Sequence, residues 1–253
     1  GHARMGAAIH SVRAVPPDQA AVVAHWAAQH RSPLHSHLSE QPAENAASLA
    51  AYGATPTAVL AAAGALGPRS TAVHATHLDA ADVEMLGSTT TGICMCPTTE
   101  RDLADGIGPA RALADAGAPI CLGTDSHAVI DLLEEARALE LDERLARGQR
   151  GRWAPAALLA SATSAGHAAL GWPDAGRIEP GAFADLVAVS LDTPRLAGAD
   201  PAQLVAAVIY AATAADITDV VASGRHVVVS GRHTAVDDVV GQLDASVRQL
   251  MDP

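Results

Sequence analysis

The chain has 253 residues, of which 49% are hydrophobic, and carries a formal charge of −12 at neutral pH. That length suffices for one large or two small domains, and the charge argues against nucleic acid or an anionic membrane surface as partner, because both bind basic patches. No apolar run reaches the length of a membrane span. Three cysteines without a CxxC motif, and no signal-peptide pattern, predict a cytoplasmic protein without structural disulfides.

The first two-thirds of the sequence alternates short apolar segments with helical patterns. Strands are predicted at 6–12, 33–39, 70–76, 91–97 and 118–125. Helices are predicted at 16–30, 43–66, 80–87, 106–116, 130–148 and 155–171. A strand followed by a helix and then another strand is typical of parallel β/α units, so this part is predicted to be an α/β fold.

The last third has a different pattern. Residues 176–191 form a turn rich in Gly and Pro that leads into an apolar strand. The segment 219–233 is typical of a β-hairpin with its turn at Ser223 and Gly224. An amphipathic helix is predicted at 237–251.

Polar residues lie at or just beyond the carboxyl ends of the predicted strands. They are His10, His37, Glu40, His74 and Asp125. In a (β/α)₈ barrel this end of the strands is the catalytic face. The sequence therefore predicts a site at one edge of a parallel sheet.

Two overlapping motifs in "LHSHLSEQ" (34–41) allow two interpretations. His35 and His37 form an H-x-H, which marks the first strand of a metal-dependent hydrolase barrel, whereas His37 and Glu40 form an H-x-x-E, which marks the fifth. Only two predicted strands separate His37 from Asp125, and that count fits strands 5, 6, 7 and 8. The H-x-x-E interpretation is therefore preferred.

The order of these motifs resembles the second half of an amidohydrolase-superfamily deaminase. The motifs are "HSVRAVPP" (10–17), "HLSE" (37–40), "VHATH" (73–77), "CPTTERDLADGI" (96–107), "GTDSH" (123–127) and "GRIEPGAFADLVAV" (176–189). "HSVRAVP" and "CPTTE" are most similar to the formimidoylglutamate deiminases of histidine degradation. The resemblance extends from about residue 6 to residue 235.

The resemblance implies the C-terminal part of a (β/α)₈ barrel, about strands 4–8, with a small β-sandwich segment. The domains would be a partial barrel at 1–175, a sandwich segment at 176–235 and a C-terminal helix at 236–253. Family members carry an H-x-H with two zinc ligands on their first strand. Nothing before His10 matches that strand, so we expect two of the four protein ligands to be absent from this chain.

The resemblance also implies roles for the strand-end residues in a site with one Zn²⁺. His37 and Asp125 would bind the metal, which lowers the pKa of a bound water to about 7. Glu40, His74 and Asp125 would be catalytic: Glu40 transfers the proton, Asp125 also contacts the attacking water, and His74 stabilises charge on the tetrahedral carbon. The reaction would convert N-formimino-L-glutamate and water to N-formyl-L-glutamate and ammonia.

Arg13 and His10 are the predicted substrate-binding residues. The planar guanidinium of Arg13 matches the geometry of a carboxylate, so a small substrate with carboxylates is expected. His10 either lines the pocket or packs. The resemblance also implies a homodimer.

Each assignment has a structural alternative. A strand-end histidine such as His37 or His74 can simply be hydrogen-bonded, Asp125 could cap the following helix, and Glu40 could be a solvated first-turn carboxylate. Arg13 could lie on the surface.

Other residues near the motifs receive weaker assignments. His35 is expected to be a filler, and His77 and His127 are expected near the site without direct roles. Cys94 and Cys96 are expected to pack on a buried strand rather than bind metal. Plausible substrate contacts in the loop after strand 7 are Thr98, Thr99 and Glu100.

Two other functions stay open. One is a deaminase of the same superfamily that acts on guanine or an adenosine-type base. The other is a non-catalytic half barrel that lacks the first-strand H-x-H and associates with a partner, because open parallel edges need a cover.

Overall fold

The structure, a computed structural model, describes residues 3–126 and 129–251. Its first region is a parallel sheet whose spatial order follows the sequence, with β1 and β5 at the edges. The strands are β1 Ala7–Ile9, β2 Leu34–Leu38, β3 Ser70–His74, β4 Gly92–Met95 and β5 Ile120–Leu122. Each lies inside a predicted strand segment and is shorter than it, because apolar patterning does not mark where ladder pairing ends.

Neighbouring strands of this sheet are connected by helices, as parallel pairing requires. The helices are α1 Pro17–His30, α2 Pro42–Tyr52, α3 Pro56–Ala62, α4 Ala80–Ser88, α5 Pro97–Asp102 and α6 Ala110–Asp115, with α7 Leu132–Arg147, α8 Pro155–Ser161 and α9 Ser164–Ala169 after β5. Several of them begin with proline, whose fixed φ suits the first helical turn and whose missing N–H would have no partner there.

Aliphatic side chains from strands and helices form the core of the first region. Among those at most 1% exposed are Ile9, Leu38, Leu60, Leu86, Ile93 and Leu113. Helices α4 and α6 approach closely at Gly87, where a Cβ atom would clash with the carbonyl group of Ala116. The core is thus built mainly from aliphatic residues of moderate size, with Trp153 as its one buried aromatic residue among those that the structure describes.

The second region is an antiparallel sheet in the order β6-β7-β8-β9. Its strands are β6 Leu186–Val189, β7 Ile217–Ala222, β8 Arg225–Val229 and β9 Arg232–His233. The hairpin between β7 and β8 turns at Ser223 and Gly224, where the sequence predicted it. Both residues have positive φ, 50° and 77°, as a tight two-residue hairpin turn requires.

Two further helices complete the described chain. Helix α10, Leu204–Ala211, packs against α7 and α8, and the Arg137 side chain of α7 donates hydrogen bonds to the carbonyl groups of Ile209 and Ala212. Helix α11, Val239–Met251, is the terminal helix that the sequence predicted, and none of its residues is buried. No helix in the described part of the chain combines the length and apolar character that a membrane crossing requires.

Candidate metal centre and active site

The polar residues at the strand ends meet at one edge of the parallel sheet. His10 directly follows β1, His37 is the penultimate residue of β2, and His74 is the last residue of β3. Glu40 and Asp125 lie in the loops after β2 and β5. The carboxyl ends of parallel strands share one edge of a sheet, and these side chains come together there.

The backbone at this edge has an unusual conformation. Ser39, His74 and Asp125 have positive φ values of 48°, 70° and 43°. Residues other than glycine rarely adopt this left-handed conformation, although His and Asp do so more often than most. Such strained positions cluster at functional sites, so the strand ends are candidates on backbone geometry as well as on chemistry.

His37, His74 and Asp125 could together hold a metal ion. One ligand atom from each lies within 4.8 Å of the others. The His37 Nδ1 atom donates a hydrogen bond of 2.8 Å to the carbonyl oxygen of His10, which leaves the Nε2 lone pair of His37 free to bind a metal. Among the described residues the buried Nε2 atom of His74 has no hydrogen-bond partner, and it lies 3.9 Å from an Asp125 carboxylate oxygen.

The donor set of this cluster suits zinc. Two imidazole nitrogens and one carboxylate oxygen match the ligands of catalytic zinc sites, which use three protein ligands and leave a position open. A metal ion would also give the buried Nε2 atom of His74 a partner that the described residues do not provide. His74, predicted as a catalytic residue and not as a ligand, is thus equivalent in position to the two predicted ligands.

Histidine 35 takes no part in the cluster. Its Nε2 atom donates a 2.9 Å hydrogen bond to the carbonyl oxygen of Ala169, the last residue of α9. This contact is consistent with the expectation that His35 packs in the structure without a direct role at the site. His77 is also engaged elsewhere, because its Nε2 atom donates to the carbonyl oxygen of Asp105 at 2.7 Å. His127 lies outside the described residues.

Glu40 lies between His74, one of the three possible metal ligands, and Arg13. One of its oxygens is 3.8 Å from the Nε2 atom of His74, and the other accepts a 2.6 Å hydrogen bond from the Arg13 guanidinium. Glu40 is 9% exposed, so the carboxylate is shielded from bulk water. Its negative charge is paired with the guanidinium of Arg13.

Glu44 is a site residue that the sequence analysis missed. It is 2% exposed, and its carboxylate accepts a 3.1 Å hydrogen bond from the backbone N–H group of Glu40 and lies 3.7 Å from the Arg13 side chain. It lies in the first turn of α2, four residues after Glu40 in the sequence. Glu44 holds the loop that carries Glu40.

The two predicted substrate-binding residues lie in the loop that follows the edge strand β1, beside the cluster. The Arg13 side chain is 33% exposed, and its Nε atom donates to the Ser11 hydroxyl at 3.3 Å. The His10 ring lies 5.3 Å from the His37 ring and contacts the same hydroxyl group. Arg13 can therefore be reached from solvent, although Glu40 and Glu44 already face it.

The segment with Thr98, Thr99 and Glu100 differs from the expectation. It is not a substrate-contacting loop but part of α5, begun by Pro97 at the first helical position, and all three residues are buried. Thr98 donates to the Glu135 carboxylate, and the Thr99 hydroxyl lies 3.1 Å from that of Ser126, next to Asp125. Thr99 thus supports the loop that carries Asp125, whereas Thr98 connects α5 to α7.

Glu100 contacts His74 on the side of the ring opposite Glu40 and Asp125. Its Oε1 atom lies 3.3 Å from the Nδ1 atom of His74. Burial lowers the pKa of His74, but the Glu100 hydrogen bond and the charges of Glu100, Glu40 and Asp125 outweigh it, so that this pKa is above its ordinary value. Burial raises the pKa of Glu100.

The three cysteines are free thiols below this cluster. Gly123 packs tightly against them, because a Cβ atom there would lie 3.1 Å from the Cys94 sulfur and 3.3 Å from that of Cys96. Cys96 also forms a second possible ligand group with His74 and Glu100. The expected packing role of Cys94 and Cys96 is consistent with this crowding.

A parallel β/α sheet with a His–His–Asp cluster at its strand ends defines a candidate metallohydrolase. The model of the amidohydrolase family matches residues 2–227, and the chain belongs to that family.

Curated relatives of the chain include deaminases with different substrates. One is the 5-methylthioadenosine/S-adenosylhomocysteine deaminase of Pelotomaculum thermopropionicum, with 34% identity over 95% of this chain and 56% of the relative. Two from Pseudomonas aeruginosa are 8-oxoguanine deaminase, 39% identical over 80% of this chain and 45% of the relative, and formimidoylglutamate deiminase, 35% identical over 90% and 51%. The chain spans about half the length of these relatives.

Among solved structures, a zinc-bound adenosine deaminase from Xanthomonas campestris is similar to this chain. The TM-score is 0.91 and the sequence identity 31%, over 97% of this chain and 56% of the other. Family membership agrees with the motif resemblance, while the similar identities to several deaminases do not single out one substrate.

Proposed function

We propose that this chain is part of a zinc-dependent hydrolase that releases ammonia from a C–N centre. The observation that carries the proposal is the group of three ligand atoms from His37, His74 and Asp125 at the strand ends. His37 and Asp125 would bind the metal, and His74 would lie close enough to bind it too. When bound, zinc would supply Lewis-acid polarisation and a water molecule of lowered pKa.

The proposal includes an arrangement for the whole chain. The parallel sheet would correspond to strands 4–8 of a (β/α)₈ barrel and β6–β9 to a sandwich segment, within domains at 1–175, 176–235 and 236–253. The sequential strand order, the open edges at β1 and β5 and the half-length match to the relatives support this assignment. The two further ligands of the family's first-strand H-x-H would not come from these five strands.

Glu40 would transfer the proton in this reaction. Its oxygen near His74 can accept a proton from a water molecule at the cluster and return it to the departing nitrogen. General acid–base transfer of this kind contributes roughly 10²–10⁴-fold in rate. Asp125 would orient the attacking water.

We propose N-formimino-L-glutamate as the substrate. Water adds to the formimino carbon, the bond from this carbon to the terminal nitrogen breaks, and ammonia leaves together with the proton that Glu40 returns. N-formyl-L-glutamate remains. Arg13, with His10 beside it, would bind a substrate carboxylate, which would compete with Glu40 for the guanidinium.

An aminopurine is the second candidate substrate. The observation that favours it is the 39% identity to 8-oxoguanine deaminase. Guanine and adenosine carry no carboxylate, so their turnover should not depend on Arg13. The substrates therefore make opposite predictions for one variant.

Ammonia release from a panel of zinc-loaded reactions tests the proposal. N-formimino-L-glutamate, guanine, 8-oxoguanine and adenosine are compared with the wild-type chain and with Arg13→Ala. We expect release from formiminoglutamate, with a KM at least about tenfold higher in the variant because a charged hydrogen bond is lost. An unchanged KM contradicts the role of Arg13, turnover of a purine favours the second candidate, and no release with any compound favours the non-catalytic half barrel.

The association state and location complete the proposal. We propose a homodimer in the cytoplasm, acting on a small carboxylate-bearing molecule and not on nucleic acid or membranes. Light scattering at several protein concentrations measures the association state directly.

A further inference from the structure

A buried series of hydrogen bonds links Cys96, Glu100 and His74, on the side of the His74 ring away from Glu40. The Oε1 atom of Glu100 accepts a 2.8 Å hydrogen bond from the backbone N–H group of Cys96 and lies 3.3 Å from the Nδ1 atom of His74. His74 is fully buried and Glu100 is 3% exposed. This part of α5 is therefore held against β3 by polar contacts that water does not reach.

The position of the shared proton follows from the partners of that oxygen. Because the Cys96 amide can only donate, the Oε1 atom of Glu100 is an acceptor, and the hydrogen between Glu100 and His74 belongs on Nδ1. The opposite ring nitrogen, Nε2, then faces Glu40 at 3.8 Å and Asp125 at 3.9 Å. No other hydrogen bond to the His74 ring occurs among the described residues.

We propose that Glu100 is a positioning residue for His74: it fixes the Nδ1–H tautomer and the ring orientation, so that Nε2 is presented to the metal and to the reacting atoms. A carboxylate behind a metal-site imidazole has this effect in general, and its loss costs about 10–100-fold in metal affinity or activity. The inference rests on the proposed function for its catalytic consequence, but not for the tautomer itself.

The same residues could be interpreted as a second metal site, because His74, Cys96 and Glu100 offer ligand atoms within 4.8 Å of one another. The hydrogen bonds argue against that interpretation. The Oε1 atom of Glu100 already accepts from a backbone amide, and the Nδ1 atom of His74 has to release its proton before it can bind a metal. An experiment can separate the two arrangements.

The first test is ¹⁵N NMR of the histidine side chains in the metal-free chain, with the His74 signals assigned by comparison with His74→Gln. Three further variants are compared with the wild type. Glu100→Gln keeps an acceptor oxygen, Glu100→Met keeps the volume without an acceptor, and Glu135→Gln alters another buried glutamate, one that accepts from Thr98 and does not contact His74.

We expect His74 to be an Nδ1–H tautomer in the wild type, Glu100→Gln and Glu135→Gln, and a mixture in Glu100→Met. An Nε2–H tautomer in the wild type, or an unchanged tautomer in Glu100→Met, overturns the proposal. Because the chain is metal-free, this readout does not depend on whether it has activity.

The second test is the affinity for Zn²⁺, measured by competition with a chromophoric chelator. Glu100→Met should bind about 10–100-fold more weakly, while Glu100→Gln should lose less than tenfold and Glu135→Gln should resemble the wild type. Equal losses in Glu100→Met and Glu135→Gln indicate a merely structural role and overturn the proposal. A Co²⁺–thiolate absorption band that disappears in Cys96→Ser also overturns it, in favour of a second metal site.

If the chain releases ammonia, kinetics give a third readout. Glu100→Met should lower kcat by about 10–100-fold and leave KM within about threefold, because Glu100 acts through His74 and does not touch the substrate. A larger change in KM than in kcat contradicts a positioning role. Absence of turnover in the wild type contradicts the proposed function only, since the tautomer test still decides the inference.

Discussion

The parallel and the antiparallel sheets of this chain differ in how much of their surface is buried and in the chemistry that they carry. In the parallel sheet, alternate residues of β2 are buried beneath helices, whereas every residue of β6 in the antiparallel sheet is at least partly exposed. Both groups of possible metal ligands found among the described residues lie at the parallel sheet. The residues with catalytic chemistry thus lie where packing fixes the backbone.

This difference has a physical reason. A metal or proton-transfer site requires positions held within a fraction of an ångström, and buried polar contacts such as those of Glu44 and Glu100 provide this precision. A sheet that is exposed on its faces cannot hold side chains in this way.

Removal of a candidate ligand should have the largest effect. His37→Ala should weaken Zn²⁺ binding by more than the 10–100-fold typical of an outer partner, because it removes a ligand atom from the cluster. Isothermal titration with Zn²⁺ measures this, and His226→Ala, in an exposed part of β8, is the matched control. Equal losses in both variants would show that binding is not localised at the strand ends.

Replacement of the proton-transfer residue should affect rate but not metal binding. Glu40→Gln should lower ammonia release by roughly 10²–10⁴-fold, since the amide cannot accept a proton from water. Its Zn²⁺ affinity should stay within a few-fold of the wild type, because Glu40 is not in the three-residue ligand group. A variant with the wild-type rate would exclude Glu40 from proton transfer.

A cavity in the parallel sheet should destabilise the chain far more than one in the antiparallel sheet. Leu38→Ala, at a fully buried position of β2, should cost about 2–5 kcal/mol of unfolding free energy. Val187→Ala in β6, where the residue is 59% exposed, should cost about 0.5 kcal/mol or less. Urea unfolding measures both values, and similar values would remove the distinction between the two sheets.

One ion pair in the second region should make its stability depend on pH. The Arg195 guanidinium contacts both Asp216 oxygens, at 2.8 and 2.7 Å, and holds the pKa of that carboxyl group well below its usual value. With a depressed folded-state pKa, the contribution is present above the unfolded value of about 3.9 and is lost as the pH falls below it.

The variant that tests this ion pair is Asp216→Asn. It should be less stable than the wild type at neutral pH, and the difference should shrink as the pH falls below about 4. Unfolding curves recorded at several pH values measure it. A stability difference that does not vary with pH would show that the charge of Asp216 is not responsible.

The smallest effect is expected on α11. Leu243→Ser replaces a residue that is 63% exposed and should change the unfolding free energy by no more than about 0.5 kcal/mol. Thermal unfolding checks this. A clear loss of stability would reveal that Leu243 is covered in solution, and a concentration dependence of that loss would assign the cover to another copy of the chain.

Regular patterns in the sequence determined much of the architecture. Alternating apolar and helical segments predict the strands of the parallel sheet and its crossover helices, because period and turn residues are local properties. The same patterns place His37, His74 and Asp125 at strand ends. The family membership follows from the order of the motifs and is confirmed by the family match.

Only the tertiary structure showed which side chains meet at the site. Glu100 lies 26 residues from His74, and Arg13 lies 27 residues from Glu40. A local sequence pattern therefore predicts neither contact. The sequence pattern places Glu100 in a loop where substrate contacts are plausible, but this residue lies in α5, buried against His74. Hydrogen bonds between distant segments depend on how the strands and helices pack, and that packing exists only in the folded chain.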